Sequence, residues 1–142
     1  MKICGIVCEF NPLHNGHAYL LAQARARSGC DALVCVMSGN FTQRGEPACM
    51  EKYTRAEHAI LAGADAVIEL PAAFACAPAE LFARGAIRLL AALPGFGCLA
   101  FGCESGDERS FRAAAASASA ESGALKGAIR GRLDSGLSLT RA

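Results

Sequence analysis

At 142 residues the chain is long enough for one compact domain with a single core and too short for two ordinary ones. A hydrophobic fraction of 53% beside 19% charged residues excludes an intrinsically disordered segment. A formal net charge of +1 gives no electrostatic hint of a nucleic-acid partner, although a small basic patch fits within a neutral total.

The first expected element is a strand over Ile3 to Cys8, an almost unbroken apolar run. That run is short and leads into Glu9 and Asn11, so the ordered zones of a signal peptide are missing. No apolar stretch reaches membrane-spanning length, and the expectation is a cytoplasmic protein with no membrane partner. Asn11-Pro12 makes a turn, and His14-Asn15-Gly16-His17 then opens a helix marked by Leu20, Leu21 and Ala24 and ended by Gly29.

This H-x-G-H tetrapeptide at a strand-to-helix junction is the chief candidate site. A helix N-terminus offers unpaired N–H groups and partial positive charge to phosphate oxygens. Gly16 lets the backbone approach a ligand, and His14 and His17 can donate hydrogen bonds to charge that builds up at phosphorus. The chemistry implied is adenylyl or other nucleotidyl transfer. The competing reading of the histidines is a helix cap and a solvated first-turn residue.

A second strand is expected over Ala32 to Met37, followed by the polar loop Ser38 to Pro47. Its glycines, Gly39 and Gly45, free the backbone, Ser38, Asn40 and Gln43 can read a polar ligand, and Arg44 supplies a forked donor for phosphate or carboxylate. A helix marked by Ala56, Ala59 and Ile60 follows and ends at Gly63. Lys52 and Arg55 at its start stand equally as ligand contacts or as a solvated face. His58 reads as a surface or core histidine.

The third strand is expected over Ala66 to Leu70. Asp65 and Glu69 flank it without a partner at metal-binding spacing, so a structural role outranks magnesium binding. A helix marked by Phe82, Ala86, Leu89, Leu90 and Leu93 ends at Pro94-Gly95, and a fourth strand is expected over Cys98 to Cys103. Gly102 at its end serves either as a strand-ending turn or as a surface for adenine or ribose. The eight cysteines include no C-x-x-C pair and no zinc-finger spacing, and read as small reduced residues of the core.

Alternating strands and helices of this length give a Rossmann-like, doubly wound parallel α/β sheet, here expected over residues 1–104. Ligands of such sheets bind beyond the carboxyl ends of the strands, where all the polar loops above gather. Residues 105–142 form an alanine-rich tail, expected as helix over Phe111 to Ala120 and Leu125 to Leu133, with little to bury.

Four segments together resemble one known family: Gly5 to His17, Met37 to Ala48, Asp65 to Pro71, and Phe101-Gly102-Cys103-Glu104. They look like the N-terminal part of the bacterial tRNA(Met) cytidine acetate ligases, of the H-x-G-H nucleotidyltransferase-like superfamily. The resemblance implies that ATP and acetate form acetyl-adenylate, whose acetyl group passes to N4 of the wobble cytidine of elongator tRNA(Met). It also implies an ATP site lined by Ile6, Val7, Glu9, Phe10, Asn11, Pro12, Asn15, Gly16 and Leu20, with His14 and His17 on the phosphates and Gly102 near the nucleoside. Mg2+ is a candidate companion ion of ATP; no metal ligand is assigned.

Family members are much longer, so the chain reads as an N-terminal fragment in which tRNA binding is in question. Ser138-Leu139-Thr140-Arg141 has the form of a second superfamily signature but arrives before any fifth strand, and is read as coincidence. Two alternatives stay open: a non-catalytic adenine-nucleotide-binding fragment, and a small H-x-G-H nucleotidyltransferase of the pantetheine-phosphate or nicotinamide-mononucleotide type.

Overall fold

A computed structural model describes residues 1–103 and 107–119 and, beyond them, the single positions Gly127, Arg130 and Asp134. Four strands, β1 (Ile3–Cys8), β2 (Ala32–Ser38), β3 (Ala66–Leu70) and β4 (Phe96–Ala100), form one parallel sheet in the order β3-β2-β1-β4. Between them run α1 (Asn15–Ser28), α2 (Lys52–Leu61), α3 (Ala72–Ala75) and α4 (Ala79–Ala91). Met1–Gly102 form one compact unit and Cys103–Ala142 another, which contains α5 (Glu108–Ser119).

Strand periodicity sorts the apolar residues into two cores. Cys4, Ile6, Leu33, Cys35 and Met37 pack with Leu21 and Ala24 of α1 and Ala59 of α2. Ile3, Val34, Val36 and Leu70 point to the other face and pack with Ala75 of α3 and Ala86 and Leu90 of α4. The sheet is therefore covered on both sides, the doubly wound α/β arrangement expected from the sequence. The chain runs outward from β1 to β3 and returns to place β4 against β1, so the switch in strand order falls between β1 and β4.

Several expectations are corrected. Only β1 and β2 are buried in the continuous manner expected of all four strands. Ala66 and Glu69 of β3 and Gly97 and Leu99 of β4 are exposed, because these strands are the sheet's edges. β4 ends at Ala100, which pairs with Ile6, so Phe101 to Cys103 lie beyond the strand and Cys103 is exposed. An apolar run does not reveal where pairing stops. The stretch after Pro71 leads directly into a short helix, and Pro71 and Pro78 stand at the N-cap positions of α3 and α4 without a side-chain cap. The helix expected over Leu125 to Leu133 lies, apart from Gly127 and Arg130, outside the described residues, as does Ser138 to Arg141.

Cys4, Cys8, Cys30, Cys35, Cys49, Cys76 and Cys98 are thiols outside any disulfide. Cys4 and Cys35 are buried as expected of core residues, and burial pushes the Cys4 thiol up to about 11 and the Cys8 thiol well above its ordinary range. Cys49, Cys76 and Cys103 are exposed and depart from that reading.

Candidate functional site

The carboxyl end of β1 delivers Glu9 and Phe10 to the rim of the sheet. Phe10 adopts φ 45°, unusual for a bulky residue, and its ring is buried with 1% exposure. The Asn11–Pro12 peptide is cis. Together these turn the chain into α1, whose N-cap is His14.

The two histidines close the helix end on themselves. Gly16 N donates to His14 Nδ1 at 3.1 Å, and His14 N donates to His17 Nδ1 at 3.3 Å. This is a capping box built from imidazoles in place of hydroxyl and carboxylate. With both Nδ1 atoms accepting, each neutral ring carries its proton on Nε2 and offers that N–H as a donor. The rings stack with centroids 3.7 Å apart, and His17 also lies 5.0 Å from the Phe10 ring. Burial, then the neighbouring His14, lowers the pKa of His17, favouring the neutral donor form. The Gly16 N–H is thus taken by His14 Nδ1, which leaves the Nε2–H groups as donors.

Beside this junction lies a cleft of about 450 Å3 lined by Glu9, Phe10, Asn11, His17, Thr42, Arg44 and Glu46. Five of these belong to the expected set. Thr42 and Glu46 do not, and their signal is the turn Thr42-Gln43-Arg44-Gly45. Gly45 N donates to Thr42 O and Thr42 N to Glu46 O, which folds the loop into a hairpin edge. Thr42 Oγ1 is buried with no partner among the described residues. Arg44 is exposed and makes no ion pair among the described residues.

The polar residues expected to read a ligand mostly tie loop to loop. Glu9 Oε1 accepts from Gln43 N at 2.6 Å, Asn11 Oδ1 from Cys49 N at 2.7 Å, and Asn40 Oδ1 from Lys52 N at 3.0 Å. Gly39 is buried against Glu69, and a Cβ there would collide with its carboxylate. Ser38 Oγ is buried without a partner among the described residues. Asn15, exposed on the first turn of α1, and Pro12 border the junction, whereas Val7 packs on the core against the α3 and α4 face of the sheet.

Four expected contacts need correction. Ile6 is wholly buried and Leu20 packs on the same core, so their side chains support the site from beneath. Lys52 Nζ pairs with Glu69 Oε2 at 2.6 Å, which raises its pKa and counters its charge. Arg55, expected either on a solvated face or at a ligand, is 0% exposed. Its Nε donates to Met50 O at 3.1 Å, one terminal nitrogen to Glu9 O at 2.5 Å, and the other to Ser38 O at 3.2 Å and to Gly39 O. A helix start with a cation gives no sign in sequence of which way that cation turns. Gly102 is exposed just beyond β4, on the rim at the switch point, and among the described residues nothing beyond its chain neighbours lies within 4 Å of where a Cβ would stand.

The sequence matches the HIGH Nucleotidyl Transferase family over residues 1–142. The chain belongs to that family. This HIGH nucleotidyl transferase chain is 46% identical over 142 residues to the tRNA(Met) cytidine acetate ligase of Acetivibrio thermocellus, covering 100% of itself and 34% of that protein. It is 43% identical to the Clostridium novyi protein of the same name, covering 97% of itself and 34% of the relative. It is similar to a crystal structure of Thermotoga maritima TmcAL bound with alpha-thio ATP, with a TM-score of 0.85 and 41% identity, covering 98% of this chain and 34% of that one. The apo form of the same protein gives a TM-score of 0.86 at 40% identity, over 99% of this chain and 33% of that one. The chain thus spans about a third of the length of the curated relatives it matches.

Among the described residues no group of three or more His, Cys, Asp or Glu is arranged to hold a metal ion. A magnesium ion accompanying a triphosphate would take its ligands chiefly from phosphate and water. No described helix is long and apolar enough to cross a membrane.

Proposed function

We propose that the chain is the ATP-binding portion of a cytoplasmic tRNA(Met) cytidine acetate ligase, and that its site activates acetate as acetyl-adenylate. The observation that carries this reading is the stacked pair His14 and His17, each accepting a backbone N–H on Nδ1 at a strand-to-helix junction, beside an open cleft that His17 lines. Similarity to a protein solved with an ATP analogue supports it.

In this scheme the triphosphate lies at the junction, and the nucleoside extends toward Gly102 at the switch point. An acetate oxygen attacks the α-phosphorus while the bond to pyrophosphate breaks. The two imidazole N–H groups and the exposed Arg44 guanidinium stabilise the charge that develops on phosphate oxygens. No protein nucleophile is required, so catalysis consists of positioning and charge stabilisation. The cytidine N4 then attacks the acetyl carbonyl and loses a proton as AMP leaves. That second step, with elongator tRNA(Met), is proposed for the longer relatives.

Calorimetric titration of ATP into the purified chain, beside a His14→Ala, His17→Ala double variant, tests the reading. Binding that the double variant loses, with acetate-dependent release of pyrophosphate, is the expected result. Binding without pyrophosphate release reduces the function of this chain to holding nucleotide, and no binding by the folded chain overturns the reading.

A further inference from the structure

We infer that Arg55 is the positioning residue of the cleft, its buried guanidinium holding the loop after β1 and the loop after β2 at the spacing that shapes the site. The inference for the fold is independent, and its consequence for nucleotide affinity rests on the reading above.

Arg55 sits on α2, outside the H-x-G-H junction and outside the cleft lining. It donates to carbonyls from three segments: Glu9 at the end of β1, Ser38 and Gly39 at the end of β2, and Met50 just before its own helix. No carboxylate pairs with it among the described residues. An arginine held only for charge would be expected to meet an acid. One whose donors all go to main-chain oxygens reports on backbone path.

The carbonyls it takes are those that decide the cleft. Glu9 O immediately precedes Phe10, where φ 45° redirects the chain toward His14. Ser38 O and Gly39 O precede the hairpin that presents Thr42 and Arg44. Two further bonds, Gln43 N to Glu9 Oε1 and Cys49 N to Asn11 Oδ1, join the same two loops nearer the surface. Arg55 is the deepest tie of that seam and the only one of these ties with no solvent exposure. A planar fork spans carbonyls on both loops at once, whereas a lysine ammonium keeps the charge at a single point.

Amide and side-chain hydrogen exchange by NMR on the full 142-residue chain tests the inference. In the wild type the Arg55 Nε–H and the amides of Gln43 and Cys49 should exchange through one shared opening. In Arg55→Lys those two amides should exchange faster by roughly tenfold or more, with the amides of β1 and β2 unchanged. ATP affinity should fall in parallel, and Arg55→Gln should behave no better than Arg55→Lys. An Arg55 Nε–H that exchanges freely in the wild type overturns the inference, as does an Arg55→Lys protein in which loop and sheet amides speed up equally or neither changes. If the lysine variant does not fold, the wild-type exchange decides. A shared opening in a chain that binds no ATP keeps the positioning role and removes the nucleotide reading.

Discussion

His14 and His17 cap the same helix from opposite directions: the first accepts the Gly16 N–H on Nδ1, the second accepts the His14 N–H on Nδ1, and the rings stack at 3.7 Å. Each bond requires an unprotonated Nδ1, so helix capping and the donor set presented at the rim share one protonation state.

The pKa of His17 is lowered by burial and by His14. The unfolded chain therefore binds the proton at higher pH than the folded one, and stability rises with pH through the window just below the ordinary histidine value of 6.5. Urea unfolding midpoints should fall as pH is lowered from 7 into that window, and His17→Asn should flatten the dependence. An NMR titration should place the His17 midpoint below that of the unfolded chain.

Asp65 joins three elements. Its Oδ2 accepts from Leu33 N at 2.6 Å and from Arg25 at 2.5 Å, and these contacts, led by the Leu33 N–H, hold its carboxyl below the usual range. Its contribution is present above the unfolded value of 3.8 and is lost as pH falls through the depressed folded one. Asp65→Asn should destabilise the fold by about 1 kcal/mol, because partial exposure screens the pair. The loss should shrink in acid, as read from denaturation at neutral and acidic pH.

Gly5 lies where a Cβ would stand 2.6 Å and 2.7 Å from the two methyl carbons of Leu90 and 3.0 Å from the Phe96 ring. Gly5→Ala should overpack this core at a cost of roughly 1–3 kcal/mol. Leu90→Ala alone should cost roughly 2–5 kcal/mol through its cavity. The double variant should lose less than the sum, because each change relieves the other. Chemical denaturation of the four proteins measures the coupling.

Thr42 Oγ1 is buried at the cleft wall without a protein partner among the described residues. Thr42→Val removes the hydroxyl and keeps the shape, so the melting temperature should hold or rise slightly. ATP or acetate affinity should weaken by roughly three- to tenfold if the hydroxyl serves the ligand. Calorimetry and thermal melts on the same samples separate the two effects.

The strands at Ile3–Cys8 and Ala66–Leu70 and the helix opened by His14 were legible in the chain because their signals are local. Apolar runs, a Gly at a helix end and an H-x-G-H after a strand act within a few residues of where they stand. The doubly wound plan followed from their alternation. The end of β4 did not, because Phe101 is as apolar as the strand before it and only pairing with β1 decides the boundary.

Sequence alone also brought Glu9, Asn11, Asn40 and Gln43 to one rim, through the rule that loops of a parallel sheet share the carboxyl edge. Which of them would face the cleft and which would bind a neighbouring loop was a matter of tertiary structure. Arg55 shows why. Its partners are carbonyls at positions 9, 38, 39 and 50, and a carbonyl is common to every residue type, so no pattern in the chain marks it as an acceptor. Residue identity determined the elements and their chemistry; the spacing between loops, and hence the site, came from contacts between groups that all residues share.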